Sequence, residues 1–199
     1  KTKYIPNIIE INGYPFQLRT KVRPKLLWVR SLHKSYNPRM AIEVLAKLSK
    51  IYPDSKLTMV GPDKDGSLSS CINYAKNLKV DKNINFTGKL EKQEWINFSK
   101  KFDIFINTTN YDNMPVSVIE AMALGFPIIS TNVGGLKFLH NDEVDAILVD
   151  KNDVVSMVNK IDLLINNQEI VKTLSLNARK KAETFSWNNV KNSWLDVLN

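Results

Sequence analysis

Asp112 and Glu120 stand eight positions apart in the stretch DNMPVSVIEAMALGFPIISTNVGG, and the residues around them decide what two carboxylates could do there. Pro115 suits the first turn of a helix, where its missing N–H costs nothing, and Gly125 suits a left-handed stop, so 115–124 is expected to be helical. Val116, Val118, Ile119, Ala121, Met122, Ala123 and Leu124 leave that helix little polar surface, which predicts burial. A buried Glu120 then needs hydrogen-bond donors, because an unpaired carboxylate loses its hydration. A nearby Lys or Ser would serve, and so would the hydroxyls of a ligand.

The helix start supplies the complementary chemistry. Free N–H groups at Val116, Ser117 and Val118, with the helix dipole behind them, favour phosphate just after a strand ending in INTTN. Glu120 lies one turn further in, on the face of Val116 and Ser117. Phosphate at the helix start and a carboxylate below it suit a nucleotide whose ribose hydroxyls reach Glu120, with Asp112 on the sugar side of the same ligand.

Short β-branched or aromatic runs alternating with helix-period segments must carry these residues. KLLWVRS reads as a strand, and NPRMAIEVLAKLSKIY as a helix capped by Asn37 with Pro38 at its first position. KLTMVG, NINFTG, FDIFINT, FPIIST and AILVD are further strands, with helices near 66–78, 91–101 and 115–124. This is the pattern of a Rossmann-like, doubly wound α/β domain with a parallel sheet covered on both faces. Ligands in such sheets bind at the carboxyl ends of the strands. From Asn152 onward the apolar spacing predicts only helices, two or three, packed outside the sheet. The opening KYIPNIIEI reads as another strand. The expected organisation is a hinge-proximal strand and linker over 1–24 and a ligand-binding domain over 25–199.

With 199 residues the chain can bury one sizeable core. No apolar run approaches bilayer-spanning length and no secretory leader opens the chain, which predicts a cytoplasm-facing protein. The single cysteine, Cys71, reads as a small buried side chain. The net charge of +8 is uneven: residues 1–30 hold Lys1, Lys3, Arg19, Lys21, Arg23, Lys25 and Arg30 against Glu10 alone. Such a flank suits nucleotide phosphates, an anionic membrane surface touched peripherally, nucleic acid, or plain solubility. No basic-aromatic stripe accompanies it, which argues against nucleic acid.

The segment from Asp112 through Pro115 and Glu120-Ala-Met-Ala to Gly125 and Pro127 resembles the E-x7-E signature of retaining GT-B glycosyltransferases that use nucleoside-diphosphate sugars. LLWV, LTMVG, LKVDKNINFTGKL, FDIFINTT, STNVGG, AILVDKND and FSWNNV follow in that family's order, from about Lys25 to the end. The resemblance covers only the C-terminal, donor-binding half of such an enzyme, so the chain reads as a piece of a longer protein whose N-terminal half meets the acceptor. It implies that Glu120 holds the donor ribose and Asp112 the transferred sugar, these two forming the catalytic pair. Asn113, Met114, Pro115, Val116 and Ser117 would approach the diphosphate and sugar. The family's Gly-Arg-Leu and following lysine, which give two cations to the diphosphate, have Arg30 and Lys34 as nearest counterparts here. Gly61 falls on a turn that lines the donor cleft, and Lys89 and Leu90 on the base-contacting loop. Asp112 replaces the usual glutamate and is one methylene shorter. No cofactor beyond the nucleotide-sugar donor is implied, and the family's basic residues usually do the work of a metal.

Other chemistry is thinly represented. His33 and His140 are far apart, no metal-ligand spacing is visible, VGPDKDGS lacks the terminal glutamate of a calcium loop, and neither Ser117 nor Ser130 sits in a nucleophile elbow. Trp28, Trp95, Trp187 and Trp194 occupy apolar-periodic positions expected to be core. The rival to a transferase is a non-catalytic nucleotide-binding module or partner subunit with the same fold.

Overall fold

A computed structural model describes residues 5–198. Six strands form one sheet: β1 Lys25–Val29, β2 Lys56–Val60, β3 Ile84–Gly88, β4 Ile104–Asn107, β5 Ile128–Thr131 and β6 Ile147–Val149. Their order is β3-β2-β1-β4-β5-β6 and every neighbouring pair is parallel. Parallel neighbours require crossovers, and the helices supplying them are α1 Pro38–Ile51, α2 Ser67–Asn77, α3 Lys92–Ser99, α4 Val116–Ala123 and α5 Leu136–Leu139. Three more follow β6: α6 Val154–Asn166, α7 Gln168–Glu183 and α8 Trp187–Leu198.

The period of two along each strand divides the core between the two faces. Leu26, Trp28, Ile104, Ile106 and Ile129 pack with α1 and α6, whereas Leu27, Phe105 and Ile128 pack with α4 and α7. Each fully buried aliphatic side chain contributes about 1.5–3 kcal/mol, so both layers hold the sheet firmly. Trp28 is buried and its indole N–H donates to Thr108 Oγ1 at 3.0 Å, which ties β1 to the segment after β4. Asn37 caps α1 by accepting from the Met40 amide. Cys71 is fully buried, and burial pushes its thiol up to about 11.

Three expectations need correction. Among the described residues the opening segment forms no strand: Ile9 makes one isolated bridge to Ser186, and Lys1–Tyr4 lie outside the described residues. That segment is packed down instead, with Ile9, Tyr14 and Val22 buried. Arg19 is not a solvated charge. Its guanidinium is buried 3.6 Å above the Phe126 ring and donates to Leu124 O at 2.9 Å, and burial lowers its pKa to about 10. Trp187 and Trp194 are exposed on α8, where Val190 is the buried apolar side chain among the described residues; Trp28 and Trp95 are buried as expected. No described helix is long and apolar enough to cross a membrane.

Candidate functional site

In this strand order the chain reverses direction across the sheet between β1 and β4, and the carboxyl ends of strands beside such a point leave room for a ligand. Beside that point, over the ends of β1, β2 and β3, a cleft of about 220 Å³ opens. Its walls come from the residues just beyond β1 (Arg30, Ser31), β2 (Gly61, Pro62) and β3 (Lys89, Leu90), together with Trp95 of α3 and Ser117 of α4. Five residues singled out from the sequence, Arg30, Gly61, Lys89, Leu90 and Ser117, are thus brought together. Gly61 is glycine for a geometric reason: a Cβ would lie 1.9 Å from Arg30 O, so only glycine lets the two strand ends close up. Lys89 turns its ammonium outward to Glu91 at 2.8 Å.

Arg30 and Asp112 meet across this point. The guanidinium Nη2 bonds Asp112 Oδ2, the Arg30 Cζ lies 4.2 Å from the Tyr36 ring centroid, and Nε is buried with no partner. Two residues expected to contact diphosphate and sugar therefore face each other. Lys34 does not reach the cleft. Its side chain is exposed, while its amide donates to Asp65 and its carbonyl accepts from Asn110.

The loop that carries Asp112 into α4 is braced from below. Gly135 N donates to Asp112 O at 2.8 Å, and a Cβ on Gly134 or Gly135 would meet Asp112 O at 2.2 Å or Asn113 O at 1.9 Å. The Gly-Gly turn after β5 is therefore the floor of the loop. Asn113 accepts from the Tyr111 hydroxyl, and Met114 O accepts from the Asn7 amide side chain at 2.9 Å. Pro115 is the N-cap rather than the first helical residue, with extended backbone. Val116 and Ser117 keep amides without partners among the described residues, but the Val118 amide, expected to be free, donates to Pro115 O. The anion-welcoming end of α4 is two amides wide.

Glu120 is buried, and burial raises its carboxyl pKa, opposed by the Tyr14 hydroxyl and the Lys92 charge. The Tyr14 hydroxyl donates to Oε1 at 2.5 Å and Lys92 Nζ stands 4.0 Å from the same oxygen. Oε2 has no protein partner among the described residues and is not one of the enclosed, unpartnered atoms. The expected protein donor for Glu120 is a nearby Lys or Ser; Lys92 is close, but the bonded donor is a tyrosine. That it is Tyr14, 106 positions away in the opening segment, left no signal in local spacing. Glu120 lies behind the cleft wall, one helical turn beyond Ser117, rather than among the lining residues.

A second buried polar group lies away from the cleft. His140 Nδ1 is 2.8 Å from Asp145 Oδ1, and Lys181 Nζ donates to Asp145 Oδ2 at 2.9 Å. Burial lowers the imidazole pKa. Burial alone would raise that of Asp145, but its bonds to His140 and Lys181 outweigh it and lower it. No cluster of His, Cys, Asp and Glu among the described residues is arranged to hold a metal.

The family model for glycosyl transferases group 1 matches residues 14–181. The chain belongs to that family. An uncharacterized glycosyltransferase of Haemophilus influenzae is 29% identical over 158 residues, covering 79% of this chain and 44% of the relative. The Escherichia coli UDP-Gal:alpha-D-GlcNAc-diphosphoundecaprenol alpha-1,3-galactosyltransferase is 27% identical over 135 residues, covering 67% of this chain and 33% of the relative. Anabaena HepE, solved in complex with UDP and glucose, superposes with a TM-score of 0.88 at 18% identity, over 98% of this chain and 56% of that one. This group 1 chain thus spans less than half the length of the two curated relatives. Its fold is the Rossmann-like half of the GT-B architecture.

Proposed function

We propose that this chain is the donor-binding, C-terminal half of a retaining glycosyltransferase that moves a sugar from a nucleoside diphosphate to a carbohydrate, lipid or protein acceptor. One observation carries the reading: Arg30 and Ser117 line one cleft, the Val116 and Ser117 amides at the start of the same helix have no partner among the described residues, and Glu120, with one unbonded oxygen, lies one helical turn further along it. Arg30 and the Val116 and Ser117 amides would hold the diphosphate. As the glycosidic bond breaks, negative charge builds on that leaving group, and preformed donors stabilise it without reorganising, which is electrostatic catalysis. Glu120 Oε2 would accept from the ribose hydroxyls, and Asp112 would meet the transferred sugar. Lys89 and Leu90 line the end of the cleft available to the base. Asn113, Met114 and Pro115 shape the loop over the sugar. That HepE was solved in complex with UDP and glucose supports a nucleotide donor for a fold of this kind. The acceptor would be met by the portion of the relatives' length that this chain does not span.

A second reading, a nucleotide-binding module without catalysis, is favoured by the Arg30–Asp112 pair, which occupies both groups with each other. Calorimetry with UDP- and GDP-sugars, followed by transfer assays of Glu120→Gln in the full-length protein, separates the two. Donor binding with transfer lost on that substitution supports the transferase; transfer retained at the parent rate counts against Glu120 as part of the machinery.

A further inference from the structure

We infer that Tyr14, in the segment preceding β1, is a positioning residue for donor binding, fixing the Glu120 carboxylate so that its second oxygen is presented to the ribose hydroxyls. The inference rests on the ribose reading of Glu120 above. A glutamate on a helix can swing its carboxylate about its terminal bonds, and a carboxylate left to swing must be ordered at each binding event. Tyr14 removes that freedom. Its phenol has one hydrogen to give, and gives it to Oε1 at 2.5 Å. The ring is 2% exposed, so it has no alternative rotamer in water. Its backbone is held as well: Arg179 Nη1 donates to Tyr14 O and to Ala123 O, both at 2.8 Å, which clamps the opening segment to the last turn of α4, the helix that carries Glu120. Lys92 completes the setting, with its ammonium 4.9 Å from the Tyr14 ring centroid and 4.0 Å from Oε1. Burial and the neighbouring Glu120 both raise the phenol pKa, so the hydroxyl keeps the proton it donates. Oε1 is thereby committed to the protein, and Oε2 is left for a ligand.

The test compares a nucleoside diphosphate with its 2′,3′-dideoxy counterpart by calorimetry on the 199-residue chain, using UDP or GDP, whichever binds more tightly. The wild-type chain should prefer the nucleotide bearing both hydroxyls by about tenfold or more, the scale of hydrogen bonds to a charged group. Tyr14→Phe, which deletes one oxygen, should reduce that preference to about twofold or less by weakening only the hydroxyl-bearing nucleotide. In a Glu120→Gln background the same substitution should change nothing further. Equal weakening of both nucleotides, the result of a purely structural role, or an unchanged preference overturns the inference while leaving the ribose reading intact. A wild-type chain with no preference, or with no affinity for either nucleotide, overturns the ribose reading and this inference with it. A measurement that needs no variant to fold complements this: fluorine NMR of the chain made with 3-fluorotyrosine in place of its six tyrosines. One resonance should move with the hydroxyl-bearing nucleotide and stay still with the dideoxy form. A spectrum in which every tyrosine responds alike to the two nucleotides overturns the inference.

Discussion

Replacing Asp112 with alanine should destabilise the fold and strengthen binding of a nucleoside diphosphate, two opposite effects from one deletion. Asp112 and Arg30 keep side-chain exposures of 11% and 21%, so the pair lies between open surface pairs and sealed ones. Surface pairs contribute about 0–1 kcal/mol, whereas stripping a partner from a sealed pair costs about 3–5 kcal/mol. The expected loss is about 2 kcal/mol, or ~4–8 °C in melting temperature for a chain of this length. Arg30 already has an enclosed Nε without a partner, so losing the Asp112 bond leaves the guanidinium short of acceptors at a cleft wall. A diphosphate would supply them, and it would no longer face a carboxylate beside its arginine. UDP or GDP affinity should rise several-fold, while the advantage of the sugar-bearing nucleotide over the bare diphosphate should shrink. Differential scanning fluorimetry and titration calorimetry on the same preparations read both quantities. An unchanged melting temperature would mean that the pair holds nothing, and weaker diphosphate binding would mean that Asp112 recruits Arg30 instead of competing for it; either result refutes the reasoning.

Glu120→Gln should raise the melting temperature at pH 7.5. Burial raises the folded carboxyl pKa, so the ionised glutamate opposes folding above that value, and thermal scans should show the gain fading as the pH falls toward 4. His140 behaves in the opposite sense: its folded pKa is depressed, so the unfolded chain takes up the extra proton, and wild-type stability should fall as pH drops below about 6.5. Chemical denaturation of His140→Gln across that range should show a weaker slope. Gly135→Ala forces a Cβ to within 1.9 Å of Asn113 O and should cost about 2 kcal/mol or more in urea unfolding while weakening nucleotide binding through the displaced loop. Arg19→Ala removes a buried guanidinium, its contact with Phe126 and its bond to Leu124 O, and should cost about 2–4 kcal/mol by the same measurement.

How much of this was legible in the sequence depended on whether the signal was local. β1 to β6 announce themselves through β-branched runs, and Asn37, Pro38 and Gly125 mark helix ends by backbone chemistry confined to a residue or two. The cleft follows almost automatically, because the residues after β1, β2 and β3 must gather at one edge of a parallel sheet. What failed to show was long-range pairing. Arg19 looks like any exposed cation until Phe126 and Leu124 are placed against it. Tyr14 has no periodic neighbourhood that would point to Glu120. Lys34 is close to Arg30 in sequence, yet the turn around His33 to Asn37 directs its chain elsewhere, with its main-chain groups used by Asp65 and Asn110. The single-turn helix α5 is too short for periodicity to detect. For α8 periodicity correctly indicated a helix but not which side met the protein, hence the exposed Trp187 and Trp194.

Photolabelling bears most directly on the central claim that a nucleoside diphosphate occupies the cleft beyond β1, β2 and β3. The chain would be irradiated with 5-azido-UDP or 8-azido-GDP and the adducts mapped by mass spectrometry, with and without excess unlabelled nucleotide. Adducts are expected between Lys89 and Trp95 or at Ser31 and Pro62, suppressed by competitor and reduced by Arg30→Ala. Adducts scattered over the surface, concentrated away from those residues, or indifferent to competitor would contradict the claim.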